Sequence, residues 1–263
     1  MKFAICQELF ENISWDDQCR LIAEAGYTGI EVAPFTMAAD VSAIPDQTLE
    51  SMKTTAAQHG LEIIGLHWLL ARTEGLYLTS PDADVRRKTA DYLKLLARIC
   101  ARLGGRVLVF GSPQQRNLLP GIDTQQAMQF AAEVFRDAMP DFATHNVLLC
   151  MEPLTKKETD FINTCADAVE LMSLVNHPSF VLHQDVKAML GAESDSIPEL
   201  IHRYRDVCGH FHVNDSNLLG PGMGETDFHP ILKAASMKSA TTGGFLSKCS
   251  ITAPAQKKLQ KKV

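Results

Sequence analysis

No stretch of this chain is apolar for long enough to cross a bilayer, although 46% of its residues are hydrophobic. Its first residues lack a basic-then-apolar layout, because Glu8 and Glu11 interrupt them, so a secretory leader is not expected and a cytoplasmic location is. No CxxC pair occurs among the seven cysteines, an odd number, which argues against a disulfide scaffold and for thiols packed as small core residues in a reducing compartment. No GxGxxG follows the first apolar run, which removes the signature of a dinucleotide-binding open sheet. Basic excess is also missing. The formal charge of −6 disfavours nonspecific binding to nucleic acid, and no membrane partner is expected. Acidic residues are missing from one place: residues 239–263 carry five lysines and no Asp or Glu, which leaves −11 on the remainder. A charge seam that sharp near a terminus is characteristic of a tail or a sequence accident.

What is present is a repeat. Helical stretches alternate with short turns holding Gly or Asn and with apolar runs that end in polar residues. The runs are Phe3–Cys6, Gly29–Ala33, Leu61–His67, Val107–Gly111, Val147–Glu152, Phe180–Asp185 and His210–Asn214. Ser14 is placed to cap a helix reaching about Ala25, with Asp16 and Asp17 in its first turn and Gly26 to end it. Apolar runs buried on both faces and alternating with helices imply a parallel sheet. A length of 263 residues suits one (β/α)8 TIM barrel, in which an eighth run would close the seven.

In such a barrel the functional groups stand at the C-terminal ends of the strands. The runs place His67, Glu152, the triplet His183-Gln184-Asp185, and the series His210 to Asp215 there. Two carboxylates and an imidazole on successive strand ends can converge on one divalent ion, and a mixed oxygen and nitrogen set suits Mn, Mg, Co or Zn. Each group alone has a plainer reading as a helix cap, a surface charge or a core histidine. Three on adjacent strands favour a metal, with Glu152, Asp185 and His212 as ligands. Alternation puts His183 one layer below Asp185, and His210 one layer below His212, so both are expected to be hydrogen-bonded core residues.

The segments GLHWLL, EGLYLTSPDADVRRKT, VLVFGSPQQR, CMEPL, ETDFINT, LHQDVKAM, GHFHVND and GPGMGETDFHPILKA, in this order, resemble the sugar phosphate isomerase/epimerase family. These are xylose isomerase-like TIM barrels related to ketose 3-epimerases and hydroxypyruvate isomerases, and the resemblance covers about residues 1–235. It implies an isomerase or epimerase of carbohydrate metabolism, acting on a sugar or small keto-acid through a metal-stabilised enediolate. It implies one divalent ion held by Glu, Asp, His and Glu from strands five to eight, the first three falling on Glu152, Asp185 and His212. Glu152 would be one of two glutamates exchanging protons on opposite faces of the substrate. Glu158 matches a glutamate that binds substrate hydroxyls, and His67 and Lys187 are further candidate substrate contacts. Their plainer readings are solvated charges for Glu158 and Lys187, and a core histidine for His67. Two positions depart from the ketose 3-epimerases: Ala188 replaces a His and Leu218 an Arg, so the resemblance does not by itself carry ketohexose 3-epimerisation over, and the substrate among polyols, keto-acids and sugars stays open. A homodimer is left open. Two other readings compete: a catalytically dead barrel that binds a metabolite or partner, and an endonuclease IV-like DNA repair enzyme, which the acidic charge disfavours.

The resemblance stops where the eighth run should bring the fourth ligand. Ser239–Pro254 reads SATTGGFLSKCSITAP, without a carboxylate. Permissible codons for Ala240–Pro254, read from the third base of the first, spell YDGWFSVEVFDYSP, the kind of segment with which the family closes its barrel and supplies that glutamate. Third bases are free in this translation; outside the two codon families open to Leu and Ser, first and second bases are fixed, and they permit the motif at every position. The chain is therefore divided into a TIM barrel domain over residues 1–235 and a frameshifted tail over 236–263, with the eighth strand and its helix expected to be lost.

Overall fold

The computed structural model describes residues 3–10, 12–217 and 219–236, and the backbone of 251–253. Leu218 and most of the tail lie outside the described residues. Eight parallel strands close in sequence order into a barrel: β1 (Phe3–Cys6), β2 (Gly29–Val32), β3 (Glu62–Leu66), β4 (Val107–Phe110), β5 (Leu148–Met151), β6 (Phe180–Asp185), β7 (Cys208–His212) and β8 (Ile251–Ala253). Around them run α1 (Trp15–Glu24), α2 (Pro34–Met37), α3 (Asp46–Gln58), α4 (Ala83–Leu103), α5 (Thr124–Thr144), α6 (Cys165–Val175), α7 (Val186–Ala192), α8 (Ile197–Tyr204) and α9 (Phe228–Ser236). None of the described helices is long and apolar enough to cross a membrane.

Local chemistry sets the boundaries. Ser14 accepts a hydrogen bond from the Asp17 amide at the start of α1, as its position in the sequence suggests. Capping boxes open α5 through Asp123 and Gln126, and α6 through Thr164 and Asp167. Gly104 ends α4 with φ at 89°, a left-handed turn that costs a glycine little. The strands β2 and β4 are buried along their whole length, and the core fills the space between sheet and helices with residues such as Phe110, Phe135, Phe142 and Phe180.

Two register shifts aim the interior side chains. Between β6 and β7, Leu182 pairs with Cys208 and the next residue, His183, with His210, so Gly209 is skipped. The bulge needs its glycine, since a Cβ there would lie 2.4 Å from Val181 Cγ2. From the bulge onward His183 faces His210 and Asp185 faces His212. Between β2 and β3 the step from Ile30 to Glu31 spans two residues on the partner, Ile63 to Gly65.

The eighth position corrects one expectation. The slot between strands one and seven is not empty: Ile251–Ala253 pairs parallel with Phe3–Ile5 on one side and with Phe211 and His212 on the other. A strand ladder is made by backbone groups, and Ile and Thr suit it whatever the reading frame. The strand is short, at three residues, and residues 237–263 hold no carboxylate. The helix expected to be missing after it falls outside the described residues.

Candidate metal centre

At the C-terminal mouth, side chains from β6, β7 and the residue after β5 come to one point. A ligand atom from each of Glu152, His183, Asp185 and His212 lies within 4.8 Å of the other three. Glu152 follows β5 directly, and its place depends on β4: a Cβ on Gly111 would sit 2.4 Å from Glu152 Oε2. Arg116, fully buried, donates from Nη1 to the Glu152 carbonyl at 2.7 Å and from Nη2 to the Ile162 carbonyl at 3.0 Å, which pins the backbone that carries the carboxylate. Asp185 ends β6 and caps α7, accepting from the Ala188 amide at 2.7 Å, while its other oxygen accepts from Asn214 Nδ2 at 2.8 Å.

His212 is oriented from behind. Its Nε2 lies 3.0 Å from Glu31 Oε2, and its Nδ1 lies 4.0 Å from Asp185 Oδ2. Donation from Nε2 to Glu31 leaves the Nδ1 lone pair turned toward the cluster. Glu31 Oε1 bonds to His210 Nε2, so one buried carboxylate orients both β7 imidazoles. His183 is different. Its ring is fully buried, neither nitrogen has a hydrogen-bond partner among the described residues, and Nε2 stands 3.7 Å from Glu152 Oε1.

The charges follow from this crowding. Burial, with the Asp185 charge beside it, pushes the Glu152 carboxyl up to about 7. Burial also raises Asp185. Burial alone would lower His212, but the Glu31 carboxylate outweighs it and raises the imidazole to about 9. Burial alone would raise Glu31, yet His210 and His212 hold it well below the carboxylate range. Desolvation, followed by the neighbouring imidazoles, drives His183 well below its ordinary value, so its ring is neutral.

A divalent ion fits this donor set. Two carboxylates packed together repel, and a cation removes that cost. Donors bonded at about 2.0–2.2 Å to one ion stand roughly 3–4.4 Å apart, close to the 3.7 and 4.0 Å separations here. The buried His183 imidazole, with no hydrogen-bond partner at either nitrogen among the described residues, has a lone pair to offer such an ion.

The profile of the family described as xylose isomerase-like TIM barrel matches residues 19–239, most of the chain. This chain belongs to that family. Among curated proteins it is 26% identical over 207 residues to the D-psicose 3-epimerase of Ruminiclostridium cellulolyticum, covering 77% of this chain and 67% of that one. To the D-psicose 3-epimerase of Agrobacterium fabrum it is 26% identical over 216 residues, covering 80% and 71%. Among solved structures, D-psicose 3-epimerase from Clostridium cellulolyticum H10 with D-tagatose superposes with a TM-score of 0.81 at 20% identity, covering 97% of this chain and 85% of that one. The 3-keto-D-glucoside 4-epimerase of E. coli superposes at 0.79 with 19% identity, covering 97% and 93%.

In this xylose isomerase-like barrel the three expected ligands converge, and His183 joins them where a hydrogen-bonded core residue was expected. The expectation treated the deeper layer as closed off from the mouth; the bulge at Gly209 brings the ring into reach. His210 does take the expected role of a bonded core residue, with Glu31 as its partner. The expected substrate contacts are engaged with other groups. Glu158 accepts from the Thr155 hydroxyl at 2.8 Å and pairs with Lys187 Nζ at 2.6 Å; burial would raise its carboxyl, but these bonds lower it. His67 is buried beside Glu8, with Nε2 2.9 Å from Oε2. Asp215, fully buried, ties its loop together by accepting from Gly224 N at 2.9 Å and Thr226 Oγ1 at 2.7 Å. Glu31 and Arg116 were not singled out in the sequence. An acid inside the apolar run GIEV was the available sign for Glu31; nothing local distinguishes Arg116 from a solvated loop charge.

Proposed function

We propose that this chain is a divalent-metal-dependent isomerase or epimerase of a small hydroxy-ketone sugar. The observation that carries the reading is the convergence of Glu152, Asp185 and His212 at the mouth of a barrel whose relatives are named as sugar epimerases. When bound, the ion supplies Lewis acidity to adjacent carbonyl and hydroxyl oxygens. The protein's own part is proton traffic and positioning. Glu152, whose carboxyl is raised by burial, takes a proton from the carbon beside the carbonyl; in an isomerisation it delivers that proton to the neighbouring carbon, whereas in an epimerisation a second acid on the opposite face returns one. Glu31 keeps His212 in one tautomer, and Arg116 holds the Glu152 backbone against the pull of its neighbours. Glu158 and Lys187, joined to each other, offer an acceptor and a donor to substrate hydroxyls, and His67, beside Glu8, is a further candidate contact.

One observation favours the second reading, a barrel that binds a metabolite without turning it over: no Asp or Glu follows Asp227, so the opposite-face glutamate that the family resemblance implies has no counterpart in the last stretch. Metal analysis of the purified chain, with proton-exchange and isomerisation assays over a panel of ketoses, separates the two. Turnover that requires added metal and Glu152 supports the enzyme. Tight ketose binding with no exchange of any C–H proton supports the binding protein.

A further inference from the structure

We infer that His183 is a fourth metal ligand, filling the coordination position for which residues 237–263 offer no carboxylate. This rests on the metal reading above and adds to it a nitrogen donor from the strand that already gives Asp185.

Three observations carry it. The ring is fully buried, yet neither Nδ1 nor Nε2 has a hydrogen-bond partner among the described residues, a state that costs free energy unless another group uses the nitrogen. Its Nε2 is 3.7 Å from Glu152 Oε1, and its ring meets the His212 ring edge-on, with centroids 4.2 Å apart. One donor from each of Glu152, His183, Asp185 and His212 fits within a 4.8 Å circle. The bulge supplies the reason: by skipping Gly209, the β6–β7 ladder sets His183 beside the β7 imidazoles.

The consequence is a change of donor chemistry. Two imidazoles and two carboxylates are a softer set than one imidazole with three carboxylates, and they favour zinc and cobalt over magnesium. A second group, Cys6, Glu31 and His67, also gathers possible donors. It is assigned no ion, because its only carboxylate, Glu31, is committed to His210 and His212.

The test uses the full chain stripped of metal. Zinc alone is titrated calorimetrically into the wild type, His183→Gln and Asp185→Ala, and one equivalent of Cu(II) is examined by pulsed electron paramagnetic resonance, which counts coordinated imidazoles. The expected result is two imidazoles in the wild type, one in His183→Gln, and zinc affinity reduced in His183→Gln by at least the roughly 10–100-fold that loss of a supporting contact causes. One imidazole in the wild type, with zinc binding lost only in Asp185→Ala, overturns the role of His183 and leaves the three-ligand centre standing. Zinc binding unchanged in both variants removes the centre altogether, and this inference with it. Circular dichroism establishes that His183→Gln is folded; should it not fold, the wild-type imidazole count decides the matter alone.

Discussion

Glu31 Oε2 and His212 Nε2 lie 3.0 Å apart inside the barrel, joining the second strand to the seventh across its interior. The same carboxylate bonds to His210, so its removal leaves two buried imidazoles short of a partner. Glu31→Ala is expected to destabilise the fold by about 3–5 kcal/mol, as loss of one member of a buried charged pair does. Glu31→Gln, of the same shape, should keep more of the stability while weakening zinc binding roughly 10–100-fold through loss of His212 orientation. Chemical denaturation and calorimetry measure the two effects separately. A Glu31→Gln protein with wild-type zinc affinity would refute the orienting role.

Proton competition gives the centre a pH signature. Glu152 titrates at about 7 and His212 at about 9, and both must be free of the competing proton to bind a cation. Metal affinity should therefore rise from pH 6 to pH 9, with release of up to about two protons per ion near pH 6.5. Titration in two buffers of different ionisation enthalpy counts them. Affinity flat across that range contradicts the assignment of these ligands.

Stability of the metal-free protein should move the other way. His212 is raised from 6.5 to about 9, so its contribution is fully present below 6.5 and lost as pH rises through 9. Glu152 is raised from 4.5 to about 7, so the protonated form favours folding and that advantage fades as pH rises from 4.5 through 7. The melting temperature of the stripped chain should fall between pH 6 and pH 9. Zinc at a hundredfold excess over its Kd should restore about 2.7 kcal/mol, roughly 5–10 °C for a chain this long. Thermal melts at pH 7.5 with and without zinc test this, and no shift on adding zinc would count against the site.

Gly111 predicts a loss of function with little loss of fold. A methyl group there meets the Glu152 carboxylate first, at 2.4 Å, and Leu154 Cδ1 only at 3.9 Å, so Gly111→Ala should push the Glu152 side chain out of the cluster. Proton exchange on a ketose should drop by at least ~10², the scale of a single acid/base group, and Glu152→Gln should match it. Solvent deuterium incorporation followed by NMR reads both variants. Full exchange in Glu152→Gln would assign the base elsewhere.

We propose that replacing Ala240–Pro254 by the shifted-frame segment YDGWFSVEVFDYSP restores the opposite-face glutamate. Inversion at carbon should then exceed that of the present chain by about 10² or more, with a higher melting temperature. Changing the restored Glu to Gln should cancel the rate gain and retain most of the stability. A replaced chain no more stable than the present one would show residues 236–263 to be a genuine terminus.

Strand ends were legible because burial on both faces writes an uninterrupted apolar run, as in Val107–Gly111 and Phe180–Asp185. The start of β7 was placed two residues late, at His210, because Cys208-Gly209 reads as a turn while serving as a bulge. Bulges depend on which residues of a neighbouring strand are skipped, and that is not written in either strand alone. The surroundings of His183 are therefore not legible from its own strand. Glu31 and Arg116 escaped because their partners lie far along the chain: His212 for Glu31, and the carbonyls of Glu152 and Ile162 for Arg116. The short eighth strand escaped because ladder pairing asks so little of side chains.

The ring is closed by Ile251–Ala253 through amides that any residue but proline can offer, whereas an ion is gripped only by side chains of particular kinds. Closure and chemistry thus answer to different alphabets. A barrel can therefore keep its ring through changes of side chain in its eighth strand that would alter any chemistry carried there.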